Sequence, residues 1–141
     1  MLERVKDSAH NELFCMKLAK MVGLDVPEAS LHFVGNTPYC LVERYDRQID
    51  EDGVITRIHQ EEFCQALGIA PEIKYEREEG PNIAACQDLM AKYAARPAAD
   101  LIKLLHIVLF NYLVGNADAH GKNFSLLYQG RYIASVDLWF T

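Results

Sequence analysis

Four side chains with acidic, basic, cationic and amide chemistry lie within six residues of one another. They occupy the stretch Gly115–Asn123, which reads G-N-A-D-A-H-G-K-N and contains the carboxylate Asp118, the imidazole His120, the ammonium Lys122 and the carboxamide Asn123. Loops on a rigid scaffold are where catalytic and binding residues concentrate. The same letters also suit an ordinary turn, because Asn, Asp and Gly cap helices and bond to their own backbone. The stretch therefore predicts either a catalytic loop or a tight turn.

The spacing between the acid and the amide favours phosphoryl transfer. Asp118 and Asn123 follow the pattern D-x-x-x-x-N, which protein kinases use in their catalytic loop. In kinases the Asp receives the proton of the substrate hydroxyl and the Asn holds a magnesium ion. A second carboxylate, Asp137, comes one predicted hairpin later, where kinases place their other metal-binding Asp. We therefore expect Asp118, Asn123 and Asp137 to converge on one cleft.

The elements on either side of this stretch strengthen that interpretation. Leu101–Val114 is the most apolar segment of the chain and predicts a central helix that is buried nearly all round. On that prediction the substitution Leu105→Asp unfolds the domain, because an unpaired buried charge is costly. The runs Phe124–Tyr128 and Arg131–Val136 predict a hairpin that ends at Asp137. A turn between a buried helix and such a hairpin is a more specific pattern than the D-x-x-x-x-N spacing alone.

The rest of the chain predicts one helix, a few strands and then mostly helices, which is the order of an α+β protein. Helical spacing and capping residues predict helices over Asp7–Val22, 59–67, Asn82–Ala95 and Ala98–Val114. Turn signals and apolar alternation predict strands over Ala29–Val34, Tyr39–Tyr45 and Val54–Ile58. Residues 69–81 have no clear period, so we expect an exposed loop there.

Composition and charge exclude several classes of function. The chain has 141 residues, which suffices for about one domain, and a formal charge of −6. A sequence-independent nucleic-acid binder needs a basic surface, so we expect no direct nucleic-acid contact. The N-terminus has no apolar signal core, and the apolar segment is shorter than the roughly 20 residues of a membrane span, which predicts a cytoplasmic protein. The four cysteines are far apart, which favours buried reduced thiols over zinc or disulfides.

Four motifs, in this order, resemble one family. They are N-E-L-F-C-M-K-L-A-K, L-V-E-R-Y-D-R, H-Q-E-E-F-C-Q-A-L-G and G-N-A-D-A-H-G-K-N-F-S-L-L, and they extend from Asn11 to Leu127. Together they resemble the HipA-type serine/threonine kinases, which are toxins of bacterial toxin–antitoxin pairs. The resemblance implies a protein-kinase-like fold, with a partial N-lobe over 1–58 and a helical C-lobe over 59–141 that carries the catalytic loop and the metal-ligand hairpin. It also implies ATP- and magnesium-dependent phosphorylation of a protein serine or threonine, and a DNA-binding antitoxin as partner.

The resemblance also implies roles for individual residues. Asp118 matches the catalytic base, Lys122 is placed to neutralise charge on the transferred group, and Asn123 and Asp137 match the magnesium ligands. Glu12 lies on the helix whose Glu pairs with the ATP-binding Lys in kinases generally. The residues expected to contact ATP are those of the hinge strand and of the second half of the loop: Glu43, Arg44, Tyr45, His120, Gly121, Lys122 and Asn123.

The chain departs from the family pattern at two places. No Gly-rich phosphate loop and no strand with an ATP-binding Lys precede the helix of Glu12, and Val136 stands where the family usually has Tyr. The chain therefore resembles the middle of a kinase, and we expect weak or undetectable turnover from it alone. The main alternative is an inactive kinase remnant that acts as a protein-binding module. A metal-dependent hydrolase that uses Asp118, His120 and Asp137 is a third hypothesis, but it gives Lys122 no role.

Overall fold

The computed structural model describes residues 7–70, 72–76, 80–129 and 132–138, and for residues 129 and 132–138 it describes the backbone alone. The helices are α1 (Ser8–Met21), α2 (Phe63–Ala66), α3 (Ile83–Tyr93) and α4 (Pro97–Val114). The strands are β1 (Ala29–Val34), β2 (Thr37–Val42), β3 (Arg47–Ile49), β4 (Ile55–Arg57), β5 (Gln60–Glu62), β6 (Phe124–Gln129) and β7 (Tyr132–Leu138). The sheets are small and antiparallel, so the α+β class predicted from the sequence is confirmed.

The chain divides into two compact units between Arg44 and Tyr45. The first unit contains α1 and the β1–β2 hairpin, which turns at Gly35 with a positive φ of 60°. Helix α1 packs against both strands of that hairpin. The predicted helix and hairpin are confirmed, although the second strand begins at Thr37 and ends at Val42, a few residues earlier than the sequence indicated.

The second unit begins with the hairpin of strands β3 and β4, and the carboxylate of Asp46, the residue before β3, is buried. Asp46 is 1% exposed and forms ion pairs with Arg47 and with Arg57, whose Nε lies 3.7 Å from the carboxylate. The backbone N–H of Ile58 donates to the Asp46 carbonyl at 3.0 Å. A buried charge is tolerated where partners satisfy it, so these contacts fix the entry of the chain into the second unit.

Residues 60–62 form a strand, whereas the sequence predicted the start of a helix. Strand β5 pairs antiparallel with β6, and β6 pairs with β7, to give the order β5–β6–β7. The Tyr128 hydroxyl donates to Glu61 across the β5–β6 pair. Helix α2 begins only at Phe63, after a capping box in which Glu62 and Gln65 satisfy each other's backbone N–H groups. The polar residues that resembled a helix start therefore join a sheet, because a strand partner distant in sequence is present.

Helix α4 begins at Pro97 and ends at Val114, close to the predicted bounds, but only one of its faces is buried. It packs against α3 and β7. Buried residues on that face include Leu104, 4% exposed, and Ile107, 2% exposed. The opposite face is open and consists of the apolar side chains Ile102, Leu105, Leu109, Tyr112 and Leu113. The prediction of burial nearly all round was therefore wrong, and with Leu105 52% exposed the expectation that Leu105→Asp unfolds the domain loses its basis.

The length and composition of α4 would also allow it to cross a membrane. The core helices of soluble proteins satisfy the same criterion. In this structure the buried face of α4 includes the polar residues Asp100 and Asn111, and Asn111 is bonded to the turn that follows the helix. Helix α4 therefore packs into the second unit along one face, and 28% of the helix is buried.

Candidate active site in the turn after helix α4

A chain of hydrogen bonds links α4 to the turn that carries the predicted catalytic residues. The helix ends at Gly115, which adopts a left-handed conformation with φ 71°. Asn111, 4% exposed, donates from its side chain to the Ile107 carbonyl at 3.1 Å and accepts from the Asn116 side chain at 2.8 Å. The Asn116 side chain in turn accepts from the backbone N–H of Asp118 at 3.1 Å. Two asparagines therefore connect the helix to the backbone of Asp118.

The carboxylate of Asp118 faces solvent on one side and two side chains on the other. Asp118 is 54% exposed, so it does not act as a buried structural acid. The hydroxyl of Tyr75 donates to its Oδ1 at 2.6 Å. The Nε2 of His120 lies 3.9 Å from the same oxygen. One carboxylate oxygen is therefore held while the side chain remains accessible, which suits a group that must accept a proton from a bound hydroxyl.

His120 is a neutral, buried neighbour of that carboxylate. Its side chain is 8% exposed, and the edge of its ring meets the Tyr75 ring at a centroid distance of 5.2 Å. Burial lowers the pKa of His120 below its ordinary value, and the nearby ammonium of Lys74 lowers this pKa further, against an opposing effect of Asp118. At neutral pH the imidazole is therefore uncharged, and the contact with Asp118 is not an ion pair.

The segment 72–76 packs against residues 115–123, the candidate catalytic turn, although the sequence predicted an exposed loop there. The Lys74 carbonyl accepts from the Gly121 backbone N–H at 3.3 Å, and the Lys74 ammonium lies 5.0 Å from the centre of the Tyr75 ring. Gly80 is buried. Glu72, Ile73 and Glu76 are exposed as predicted, whereas Lys74 and Tyr75 are half-buried, so the prediction of exposure was wrong for Lys74, Tyr75 and Gly80. Sequence reasoning missed Tyr75 because it lies in a charged run without a period, 43 residues before the acid that it contacts.

Gly121 is the residue at which the turn passes closest to the rest of the unit. A Cβ at this position would lie 2.6 Å from Pro81 Cγ and 3.0 Å from Cys64 Sγ. Real Cβ atoms do not come that close to other atoms, so the close packing requires a residue without a side chain. Behind the turn lies a cavity of about 170 Å³ between α3 and α4, and Cys86 lines it. Burial raises the pKa of Cys86 to about 11, which keeps this thiol protonated.

Asn123 closes the turn and begins β6. The residue is 4% exposed. Its backbone N–H donates to the His120 carbonyl at 2.9 Å, and its side-chain Oδ1 accepts from the backbone N–H of His120 at 3.4 Å. The side chain of Lys122 is half-buried. On the neighbouring strand the backbone of Asp137 pairs with Ser125, two residues after Asn123. The side chain of Asp137 lies outside the described part of the structure, so its convergence with Asp118 and Asn123 stays a prediction.

The residues expected at the hinge lie at the border of the two compact units. Glu43 and Arg44 end the first unit and Tyr45 begins the second. The backbone N–H of Glu43 donates to the Glu28 carbonyl at 2.8 Å, so this amide is used within the first unit. On α1 of the same unit, burial raises the pKa of Glu12. The predicted site residues from Asp118 to Asn123 therefore lie in one turn of the second unit, whereas Glu43 and Arg44 belong to the first unit.

The oxygen donors of the turn suit a hard cation such as magnesium. Asn123, the predicted magnesium ligand whose side chain the structure describes, offers a carboxamide oxygen, and magnesium prefers oxygen ligands. Across the described residues no group of three His, Cys, Asp or Glu side chains could hold a metal without further ligands. Magnesium sites in phosphoryl-transfer enzymes use one or two protein ligands together with substrate phosphates. The residues present therefore fit the ion that the catalytic-loop pattern implies.

The whole chain also matches a family of known proteins. The family model described as the HipA-like C-terminal domain matches residues 2–137. The chain belongs to this family.

Relatives of this family include named kinases and a toxin. The chain is 52% identical over 127 residues to a Sinorhizobium fredii protein named "Putative kinase Y4mE". It is 38% identical over 127 residues to the serine/threonine-protein kinase toxin HipA of Shewanella oneidensis. These alignments cover 90% and 82% of this chain but only 30% and 29% of the relatives.

The fold of the chain matches a solved HipA-family structure as well. The matching structure is that of the toxin–antitoxin system of Shewanella oneidensis, HipA and HipB in complex with operator DNA. The match has a TM-score of 0.76 and 33% identity, and it covers 94% of this chain and 33% of the solved chain. The resemblance to HipA-type proteins and the kinase-like fold predicted from the sequence are both confirmed. The chain spans about a third of the length of the relatives that it matches.

Proposed function

We propose that this chain carries the catalytic loop of a HipA-like serine/threonine protein kinase, which transfers a phosphoryl group from ATP to a protein hydroxyl. The observation that carries the proposal is the turn after α4. It presents the accessible carboxylate of Asp118 five residues before the buried carboxamide of Asn123. The Tyr75 hydroxyl donates to that carboxylate, and the backbone N–H of Asp118 donates to the Asn116 side chain. The kinase names of two family members support the same reaction class.

The catalytic work of this chain is mainly positioning and charge neutralisation, because phosphoryl transfer needs little covalent help. Asp118 orients the attacking hydroxyl and accepts its proton on an accessible oxygen. Lys122 lies four residues further along the same turn, where an ammonium stabilises negative charge on the transferred group. Neutral His120 adds no positive charge next to Asp118, so the carboxylate keeps its basicity toward the hydroxyl proton.

ATP and magnesium complete the proposed site. Asn123 and Asp137 would hold magnesium, which neutralises phosphate charge when bound. Backbone and side-chain groups of His120, Gly121, Lys122 and Asn123 would contact the phosphates, while Glu43, Arg44 and Tyr45 would contact the adenine. The proposal includes a role as the toxin of a toxin–antitoxin pair, a cytoplasmic location and a DNA-binding antitoxin as partner. The presence of an antitoxin in the matched HipA structure supports that partner.

A second candidate function is that of an inactive kinase remnant which binds another protein. The observation in its favour is that the solved HipA structure which this chain matches is a complex with a second protein, HipB. The two candidates differ in one measurable property, the transfer of phosphate that depends on Asp118.

The test uses the product of the complete gene, magnesium and ATP labelled at the γ-phosphate. We expect phosphate incorporation into protein serine or threonine, and a loss of about 100-fold or more with Asp118→Asn, the size usual for a lost general base. The matched control is Asp52→Asn, which neutralises an exposed acid in the turn between β3 and β4. Absence of transfer by the wild-type protein would favour the inactive remnant, whereas equal transfer by both variants would refute the proposed role of Asp118.

A further inference from the structure

We infer that Tyr75 is a positioning residue for the catalytic carboxylate of Asp118. The inference rests on the proposed kinase function and adds a residue that the catalytic-loop pattern does not contain. Tyr75 lies outside the Asp118–Asn123 stretch, in the segment 72–76, and reaches the site only through the fold. Its hydroxyl donates to Oδ1 of Asp118 at 2.6 Å, the length of a charge-assisted O–H···O⁻ bond.

The contact from Tyr75 uses one carboxylate oxygen of an exposed side chain. Tyr75 and the Nε2 of His120 both approach Oδ1, the latter at 3.9 Å, and the Asp118 side chain remains 54% exposed. The inference places the substrate hydroxyl at Oδ2, the oxygen to which Tyr75 does not donate. A carboxylate fixed through one oxygen has fewer rotamers to lose when the substrate hydroxyl binds, and this favours the reactive geometry.

The Tyr75 side chain is itself held, so it can act as a fixed donor. Its ring meets the edge of His120 at 5.2 Å, and the Lys74 ammonium lies 5.0 Å from the ring centre. One residue earlier, the Lys74 carbonyl accepts the Gly121 N–H at 3.3 Å. The segment 72–76 therefore contacts the catalytic turn at Asp118, His120 and Gly121. Loss of the hydroxyl alone removes the bond to Asp118 and leaves the ring contacts in place.

The decisive variant is Tyr75→Phe in the product of the complete gene. We expect kcat to fall roughly tenfold or more, as for one lost hydrogen bond to a charged group, while KM for ATP changes little. In an Asp118→Asn background the same substitution should have little further effect, because residues that act as one unit are not additive. A higher kcat/KM for the protein substrate in Tyr75→Phe would overturn the inference, because the hydroxyl would then be competing with the substrate for Asp118.

The matched control is Tyr128→Phe, which removes a comparable tyrosine–carboxylate bond, to Glu61, within the β5–β6 pair. A purely structural role predicts equal losses of kcat in both variants, whereas a positioning role predicts a loss in Tyr75→Phe alone.

Amide hydrogen exchange supplies a readout that does not depend on activity. We expect faster exchange in residues 116–121 with Tyr75→Phe and no change there with Tyr128→Phe. Unchanged exchange in both variants would overturn the inference. If the wild-type protein had no kinase activity and Tyr75→Phe still gave faster exchange, the proposed function would be refuted. That result would nevertheless show that Tyr75 holds the turn.

Discussion

At the scale of single residues, the candidate site depends on side chains that have no chemistry of their own in the reaction. Asn111 and Asn116 connect the buried face of α4 to the backbone of Asp118. Gly121 allows the turn to pass against Pro81 and Cys64 with no room for a Cβ. These residues set where the carboxylate lies, so changes in them should disturb the site without removing any reacting group.

The close approach at Gly121 leads to a prediction about stability. We expect Gly121→Ala to lower the free energy of unfolding of the 141-residue chain by about 1–3 kcal/mol, because the new methyl group overpacks the contact with the rigid ring of Pro81. Urea denaturation monitored by circular dichroism measures this difference.

A second substitution tests the stated cause. Pro81→Ala removes the ring atom that would lie 2.6 Å from the new Cβ, so the double variant Gly121→Ala/Pro81→Ala should be more stable than the sum of the two single changes implies. Strict additivity would show that the cost of Gly121→Ala has another origin. An unchanged unfolding midpoint in the single variant would refute the packing described here.

Candidate site residues that are adjacent in sequence could be proposed from the sequence, whereas their contacts from elsewhere in the chain could not. Asp118, His120, Lys122 and Asn123 are recognisable because four reactive types fall in one turn after an apolar helix. Tyr75 could not be found in this way, because a contact across 43 residues leaves no local signal. The neutral state of His120 was also invisible, since it follows from burial and from the position of Lys74 in the folded chain.

At the scale of elements, local patterns predicted most of the helices but misassigned one segment. The Asn82 side chain caps α3 by accepting the Ala85 N–H at 2.7 Å, as its residue type indicated. The polar residues at 60–62 also satisfy a helix pattern, yet they pair with β6. Tertiary pairing overrides local preference in such short segments. Hydrogen bonds to a partner strand satisfy the backbone N–H and C=O groups of alternate residues. The sequence alone does not show that the paired residues of this partner strand lie 63 to 67 positions later.

Helix α4 shows a second limit, because a helix that is apolar all round does not reveal which face is buried. The structure separates two neighbouring leucines: Leu104 is 4% exposed and Leu105 is 52% exposed. We expect Leu104→Ala to lower the free energy of unfolding of the 141-residue chain by about 2–5 kcal/mol, the usual cost of a truncated core leucine. Leu105→Ala should cost less than about 1 kcal/mol, as for a surface position.

The two alanine variants act as controls for each other, because they share the same helix and the same change in volume. Thermal or urea unfolding of both proteins under identical conditions provides the comparison. Similar losses of stability in both variants would contradict the burial of one face alone. Such a result would support the burial nearly all round that the sequence suggested.

At the scale of the whole molecule, the predicted site residues are divided between the two compact units. Glu43 and Arg44 belong to the first unit, whereas Tyr45 and the catalytic turn belong to the second. The family match covers both units, since it extends from residue 2 to residue 137. The HipA-like character therefore belongs to the chain as a whole and not to the catalytic turn alone, which is why four separate motifs were needed to recognise it.

The activity of residues 1–141 on their own can be predicted from what the proposed reaction requires. Phosphoryl transfer depends on groups that surround the ATP phosphates, which in kinases include a Gly-rich loop and a Lys on a strand. None of the eight glycines of the chain lies in a G-x-G-x-x-G pattern. We therefore expect weak or undetectable transfer of labelled phosphate by the purified 141-residue chain, measured beside Shewanella oneidensis HipA as the active reference and beside Asp118→Asn as the blank. Rapid transfer by the chain that is abolished by Asp118→Asn would show that the catalytic turn and its immediate supports suffice for phosphate handling, and the requirement for a Gly-rich loop would then not hold for this protein.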